Sequence, residues 1–167
     1  IDGDEIILSA GDYGPVSSIL SVPSNGSAHG VQGQPAPRIH FASGNYLLLT
    51  PASRASYLQV DGVTPAPLQV DQPDAVADQV LSQASGNAAC ILFGRLTNSV
   101  CWTSAPGFAA LEAVANLSFT PTMRNVTLEA TGADGTGLSI RAGGTATLAA
   151  SATNVIVHGA GTRDLFI

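Results

Sequence analysis

Short runs of alternating polar and apolar residues, each closed by a glycine, recur along this 167-residue chain. Five share one phrase: Arg54 to Gly62, Asp78 to Gly86, Asn98 to Gly107, Arg124 to Gly132 and Thr153 to Gly161. Each opens on one or two polar residues, continues as an alternation, and ends in small residues before the glycine. An alternation of period two marks strands with one buried face. Helical patterning is nearly absent. Asp74 to Ala84 is the one stretch with helical character, and Gly-, Thr- and Val-rich flanks weaken it.

Anchored on Val80, Val100, Val126 and Val155, the phrase repeats at separations of 20, 26 and 29 residues. A second short strand falls between anchors: Leu68 to Val70, Ala89 to Leu92, Ala110 to Ala113 and Leu138 to Ile140. A third falls in the longer coils, as at Thr145 to Leu148. Two or three strands per repeat, without a hairpin signature between them, predict one solenoid turn per repeat, each coil burying its inward side chains against the next. An antiparallel β-sandwich is the competing reading, but a sandwich has no reason to reuse one phrase at coil length. The prediction is an all-β, right-handed single-stranded parallel β-helix of about five or six coils. It forms one domain over residues 1–167. Residues 1–37 are an N-terminal strand and loop region, with Pro15 to Pro37 as a surface loop, and residues 38–167 are stacked coils.

Composition sharpens this picture. Charged residues make up 11% of the chain, against about 25% in ordinary domains, and all six basic residues are arginine. Stacked strands suit small uncharged side chains, because like charges above one another repel. Disorder pairs low hydrophobicity with high charge, whereas this chain has a mean hydropathy of +0.27. A net charge of −6 leaves no basic footprint for nucleic acid. The longest apolar runs, such as Tyr46 to Leu49, are far too short to span a bilayer.

Cys90 and Cys101 stand eleven positions apart, a spacing that fits neither a redox C-x-x-C pair nor a zinc site. Two readings stay open: a structural disulfide in an exported protein, or two buried thiols in a reduced core. Asn98, Asn125 and Asn154 precede similar strands, with Asp78 near the same place one coil earlier. Stacked amides there would form a hydrogen-bonded ladder; separate turn asparagines are the alternative. The register slips by one residue at Asn98 when Val100 is the anchor.

The opening Gly3-Asp-Glu-Ile-Ile-Leu-Ser-Ala-Gly-Asp-Tyr13 resembles the phrase that starts many pectate-lyase-like right-handed β-helices. Met123 to Gly132 and Ala152 to Gly159 look like phrases of uncharacterised secreted β-helix proteins of high-GC actinobacteria. In that group a coil with two cysteines precedes a strand ending in a phrase like Thr131 to Leu138. The resemblance spans essentially the whole chain and implies the fold and a secreted or cell-surface location. It leaves function open, because the superfamily holds lyases, hydrolases, epimerases and adhesins. Physically, Ile6 and Leu8 share one face of the first strand, Gly11 permits a tight turn, and Tyr13 can cover the open end of the first coil.

Candidate chemistry is thin. A lyase of this superfamily needs a basic residue beside a carboxylate cluster holding calcium, and without lysine only arginine could serve. Asp71, Asp74 and Asp78 are the best such cluster, with Arg54 and Arg95 one coil to either side; ordinary turn chemistry is the alternative. A hydrolase needs two acids about 5–10 Å apart on one face. Glu112 and Glu129 are the only acids set inside strands. Gly-x-Ser-x-Gly is absent, and His29, His40 and His158 are dispersed, so no catalytic residues are assigned. Trp102, the only tryptophan, has the chemistry of a sugar-stacking platform, but it directly follows Cys101 in a strand and is expected to pack in the core or on the disulfide. Thr145-Ala-Thr147 has the T-x-T form of ice-binding solenoids but occurs once.

The expected function is that of a non-catalytic exported module with a structural, surface or adhesion role, without a cofactor unless calcium. The alternative is a polysaccharide-active lyase or hydrolase. Polysaccharide or cell-surface components are the expected partners. The apolar Phe166-Ile167 end predicts a fragment of a longer solenoid, or end-to-end self-association.

Overall fold

The computed structural model describes residues 3–115, 119–143, 145–147, 149–161 and 163–166. All regular elements among them are strands. The first coil holds β1 (Glu5–Leu8), β2 (Asp12–Val16) and β3 (Leu20–Val22), and the second β4 (Ser27–Gly30), β5 (Arg38–Phe41) and β6 (Leu47–Leu49). The third holds β7 (Arg54–Gly62) and β8 (Leu68–Val70), and the fourth β9 (Val76–Ala84) and β10 (Cys90–Leu92). The fifth holds β11 (Arg95–Thr97), β12 (Val100–Thr103) and β13 (Ala109–Ala115), and the sixth β14 (Thr122–Ala130) and β15 (Thr136–Ala142). A last rung carries β16 (Ser151–Gly159) and β17 (Leu165–Phe166).

Each strand pairs in parallel with its counterpart one coil away, and the result is a parallel β-helix of about six turns. One wall is a ten-stranded sheet built from β1, β2, β4, β5, β7, β9, β11, β12, β14 and β16. The other is a seven-stranded sheet in the order β17-β15-β13-β10-β8-β6-β3.

The core is a set of in-register columns. On the seven-stranded sheet Leu20, Leu47, Leu68, Cys90, Leu111, Leu138 and Leu165 stack one above another. Leu47, Leu68 and Leu111 are fully buried. Each such leucine contributes about 1.5–3 kcal/mol by leaving water. On the ten-stranded sheet Leu58, Val80, Ser99, Val126 and Val155 form the facing column. A column residue is buried only because the rungs above and below carry one too, which is why strands of three residues suffice.

Three expectations require correction. The stretch from Pro15 to Pro37 is not a loop; it contains β3 and β4, with Val22 and Ala28 buried in the first two coils. Its Ser-, Gly- and Pro-rich composition conceals strands too short to show an alternation. The stretch with helical character, Asp74 to Ala84, is mostly β9. The third strand expected at Thr145 to Leu148 is absent from the described part, where Thr145 to Thr147 are turn and irregular chain, and Leu148 lies outside the described residues. Phe119 bridges there instead, donating its amide to Thr147 at 3.2 Å and accepting from Ala149 at 3.3 Å. The terminal Ile167 also lies outside the described residues.

Candidate functional site

Two positions govern what the ten-stranded sheet presents outward. The first is a bend. Tyr57, Gln79, Asn98, Asn125 and Asn154 all have φ between 48° and 55°, the left-handed region that asparagine tolerates better than most residues. Strand pairing puts these five in one column, since Thr97 pairs with both Asp78 and Arg124, and Arg124 with Thr153. The register does not slip at Asn98. The residue aligned with Val80 and Val126 is the buried Ser99, not Val100, which pairs with Leu81 and Thr127 and faces outward. Ser99 fits that column because its hydroxyl accepts from the Val80 amide at 3.0 Å and donates to the Thr97 carbonyl at 2.6 Å.

Along the bend, Asn154 donates its amide to Asn125, Asn125 to Asn98, and Asn98 to Asp78, each at 2.8 Å. Thr97 adds a hydroxyl to the same Asp78 oxygen at 2.6 Å. Partial burial pushes the Asp78 carboxyl up, but the hydrogen bonds from Thr97, Asn98 and Gln79 outweigh it and hold the group below the ordinary carboxylate value.

These contacts commit Asp78 to the fold. Asp71 and Asp74 sit exposed in the turn between β8 and β9, and no group of three His, Cys, Asp or Glu side chains gathers to hold a metal ion among the described residues. Arg54 and Arg95 both pair with Val76, so they occupy one column on either side of it, and neither forms an ion pair among the described residues. Glu112 and Glu129 lie on different sheets, β13 and β14, and do not share a face.

Cys90 and Cys101 form a disulfide with Cα atoms 6.0 Å apart, and both are buried. The bond runs through the core from β10 on one sheet to β12 on the other, joining the fourth coil to the fifth. The open choice between disulfide and separate thiols is thus resolved in favour of the disulfide.

The second outward feature follows from that inward cysteine. Alternation along β12 turns Trp102 to the outer face, correcting its expected place in the core. Trp102 pairs with Gln83 below and Glu129 above, and Gln83 pairs with Asp61. Arg38, Asp61, Val63, Gln83, Ser85 and Trp102 line a shallow open groove. At its edge, Arg38 Nε donates to Asp61 Oδ2 at 2.7 Å, and His40 Nδ1 lies 2.8 Å from Asp61 Oδ1. His40 Nε2 lies 3.7 Å from Asp12. Sequence reading missed this cluster because Arg38, His40 and Asp61 lie on successive coils. The period-two rule at Cys101 was the available signal for Trp102.

His29 is in β4 and not in a loop; it lies 2.8 Å from Glu5 and 2.9 Å from the Gly30 carbonyl. Those two acceptors, the Gly30 carbonyl first, raise its pKa above the ordinary value against a smaller effect of desolvation.

No protein-family model, curated protein or solved structure matches the chain. Among the described residues, no helix is long and apolar enough to cross a membrane.

Proposed function

We propose that this chain is a non-catalytic, exported β-helix module with a structural, surface or adhesion role. The observation that carries the reading is the outer face of the ten-stranded sheet. Gln59, Leu81, Val100, Thr127 and Ile156 stack there in register, as do Ser56, Asp78, Thr97, Arg124 and Thr153. Most of these side chains are uncharged, and strand pairing repeats them about every 4.8 Å. Such a lattice suits contact with an extended, repetitive partner such as a polysaccharide or cell-wall polymer. Export is supported by the buried disulfide, which persists in oxidising compartments. The resemblance of the quoted sequence phrases to those of secreted pectate-lyase-like β-helices agrees with this reading.

A second reading, a polysaccharide-active lyase or hydrolase, draws on the Asp12–His40–Asp61–Arg38 cluster beside the groove. One experiment separates the two. The protein is incubated with insoluble polysaccharides and cell-wall preparations, and both co-sedimentation and newly released reducing ends are measured. Co-sedimentation without new ends is the expected outcome. New ends that disappear in Asp61→Asn would replace the first reading with the second.

A further inference from the structure

We infer that the groove beside Trp102 is a binding subsite for a neutral saccharide ring. This goes beyond the module reading, which requires a surface but no particular site. Trp102 is the only tryptophan in the chain, and it faces outward on a strand whose inward neighbours, Cys101 and Thr103, are fully buried. Its backbone is anchored immediately by the disulfide at Cys101, so the indole stands on one of the most constrained positions of the solenoid. A rigid aromatic ring on a fixed strand is the preorganised platform on which the C–H face of a sugar ring stacks.

The polar groups around it match hydroxyls. Gln83, one rung below, offers an amide donor and an amide acceptor, and its side chain makes no hydrogen bond within the chain among the described residues. Ser85 adds a hydroxyl that is likewise free among the described residues. Asp61 is held in place by Arg38 and His40, so its carboxylate enters the groove already oriented. A side-chain amide, a hydroxyl and a fixed carboxylate beside an indole are the groups that recognise vicinal hydroxyls, and an open, shallow groove leaves the ends of a longer glycan free to continue along the face.

Charge selects the class of sugar. Asp12, Asp61 and Glu129 lie at or beside the groove, against Arg38, whose Nε is already committed to Asp61, and His40. A uronic acid would meet this acidic surround, whereas a neutral hexose would not. The expected ligand is therefore an oligosaccharide of neutral hexoses and not an acidic one.

Because Trp102 is the sole tryptophan, its fluorescence reports the site directly. Neutral gluco-, manno- and galacto-hexasaccharides, with oligogalacturonate as the acidic probe, are titrated into the protein, and affinities are confirmed by calorimetry. A saturable fluorescence change with at least one neutral series, and weaker or no response to oligogalacturonate, is expected. Trp102→Ala should weaken calorimetric binding about ten-fold or more, and Gln83→Ala by a smaller factor, while Trp102→Phe retains part of the affinity. Circular dichroism and the mass of the intact disulfide verify that each variant is folded. No response to any neutral series, unchanged binding in a folded Trp102→Ala, or preference for the acidic probe would each overturn the inference. None of these outcomes bears on the module reading, which is judged by sedimentation and product release.

Discussion

Asn98 donates its side-chain amide to the carboxylate of Asp78 at 2.8 Å, and thereby gives a column of stacked amides a charged terminus. From Asn154 through Asn125 and Asn98 every amide donates in the same direction, so the dipoles add and all point at the one anion that ends the row. The same residues occupy the left-handed bend, so a single residue type satisfies both the backbone and the row. Asn125→Ala should therefore cost about 1–2 kcal/mol, combining two broken links with a non-glycine residue at φ 53°. Asn125→Gly breaks the same links but accepts the bend, and should cost less. Urea unfolding of the pair measures the difference; equal losses would show that the bend carries no strain.

Ser99 tests the corrected register. It stands in a column of valines, nearly inaccessible, and its hydroxyl is the acceptor for the Val80 amide. Ser99→Ala should cost about 1–3 kcal/mol, because it strands a buried N–H where neither water nor a neighbour replaces the lost oxygen. Val100→Ala, by contrast, trims an outward side chain and should cost less than Ser99→Ala. Denaturation midpoints of the two variants decide; the reverse order would restore Val100 to the core column.

Two groups make stability depend on pH with opposite signs. Asp78 has a folded pKa below its ordinary 3.8, so its contribution is present above that value and is lost as pH falls through the lower folded value. His29 has a folded pKa above its ordinary 6.5, so its contribution is fully present below 6.5 and is lost as pH rises through the higher folded value. Melting temperatures of the wild type minus Asp78→Asn should shrink on the acid side. Those of the wild type minus His29→Gln should shrink as pH rises above 6.5. A constant difference in either series would remove the corresponding interaction.

Much of the solenoid was legible because its longest strands announce themselves. Arg54 to Gly62 and Leu68 to Val70 coincide with β7 and β8, and the glycine-closed phrases fall on β9, β12, β14 and β16. What stayed hidden had a common cause. A parallel β-helix lets a residue be inward on the strength of its vertical neighbours, so Val22 and Ala28 need no alternating context of their own. The same feature misplaced the register at Ser99, where a buried polar residue stands in an aliphatic column and the half-buried, outward-facing Val100 beside it looks like the anchor. The outer face was harder still. Arg38, His40, Asp61, Gln83 and Trp102 meet only through coil-to-coil pairing, and the columns cannot be aligned until the register is known. Asp71, Asp74 and Asp78 are close in sequence but divide between the turn and β9, and no group of three metal-ligating side chains gathers among the described residues.

The disulfide offers the sharpest separation of effects. Cys90 occupies the rung between Leu68 and Leu111, and Cys101 the rung between Ser82 and Leu128, so the pair is both core filler and cross-link. Both residues are almost inaccessible, so thiol reagents should add no label to the native protein and label both sulfurs only after reduction in denaturant. Closing a loop of this size should stabilise by about 3 kcal/mol through the unfolded chain, and the double variant Cys90→Ala/Cys101→Ala loses that plus the packing of two sulfurs. Replacing Cys90 by the residue of its own column, in Cys90→Leu/Cys101→Ala, should return part of the packing while leaving the cross-link broken. Its urea midpoint is expected between those of the wild type and the double alanine variant. A midpoint at or below the double alanine variant would mean that the sulfurs fit a space no leucine can enter, and that the column does not run unbroken through the fourth coil.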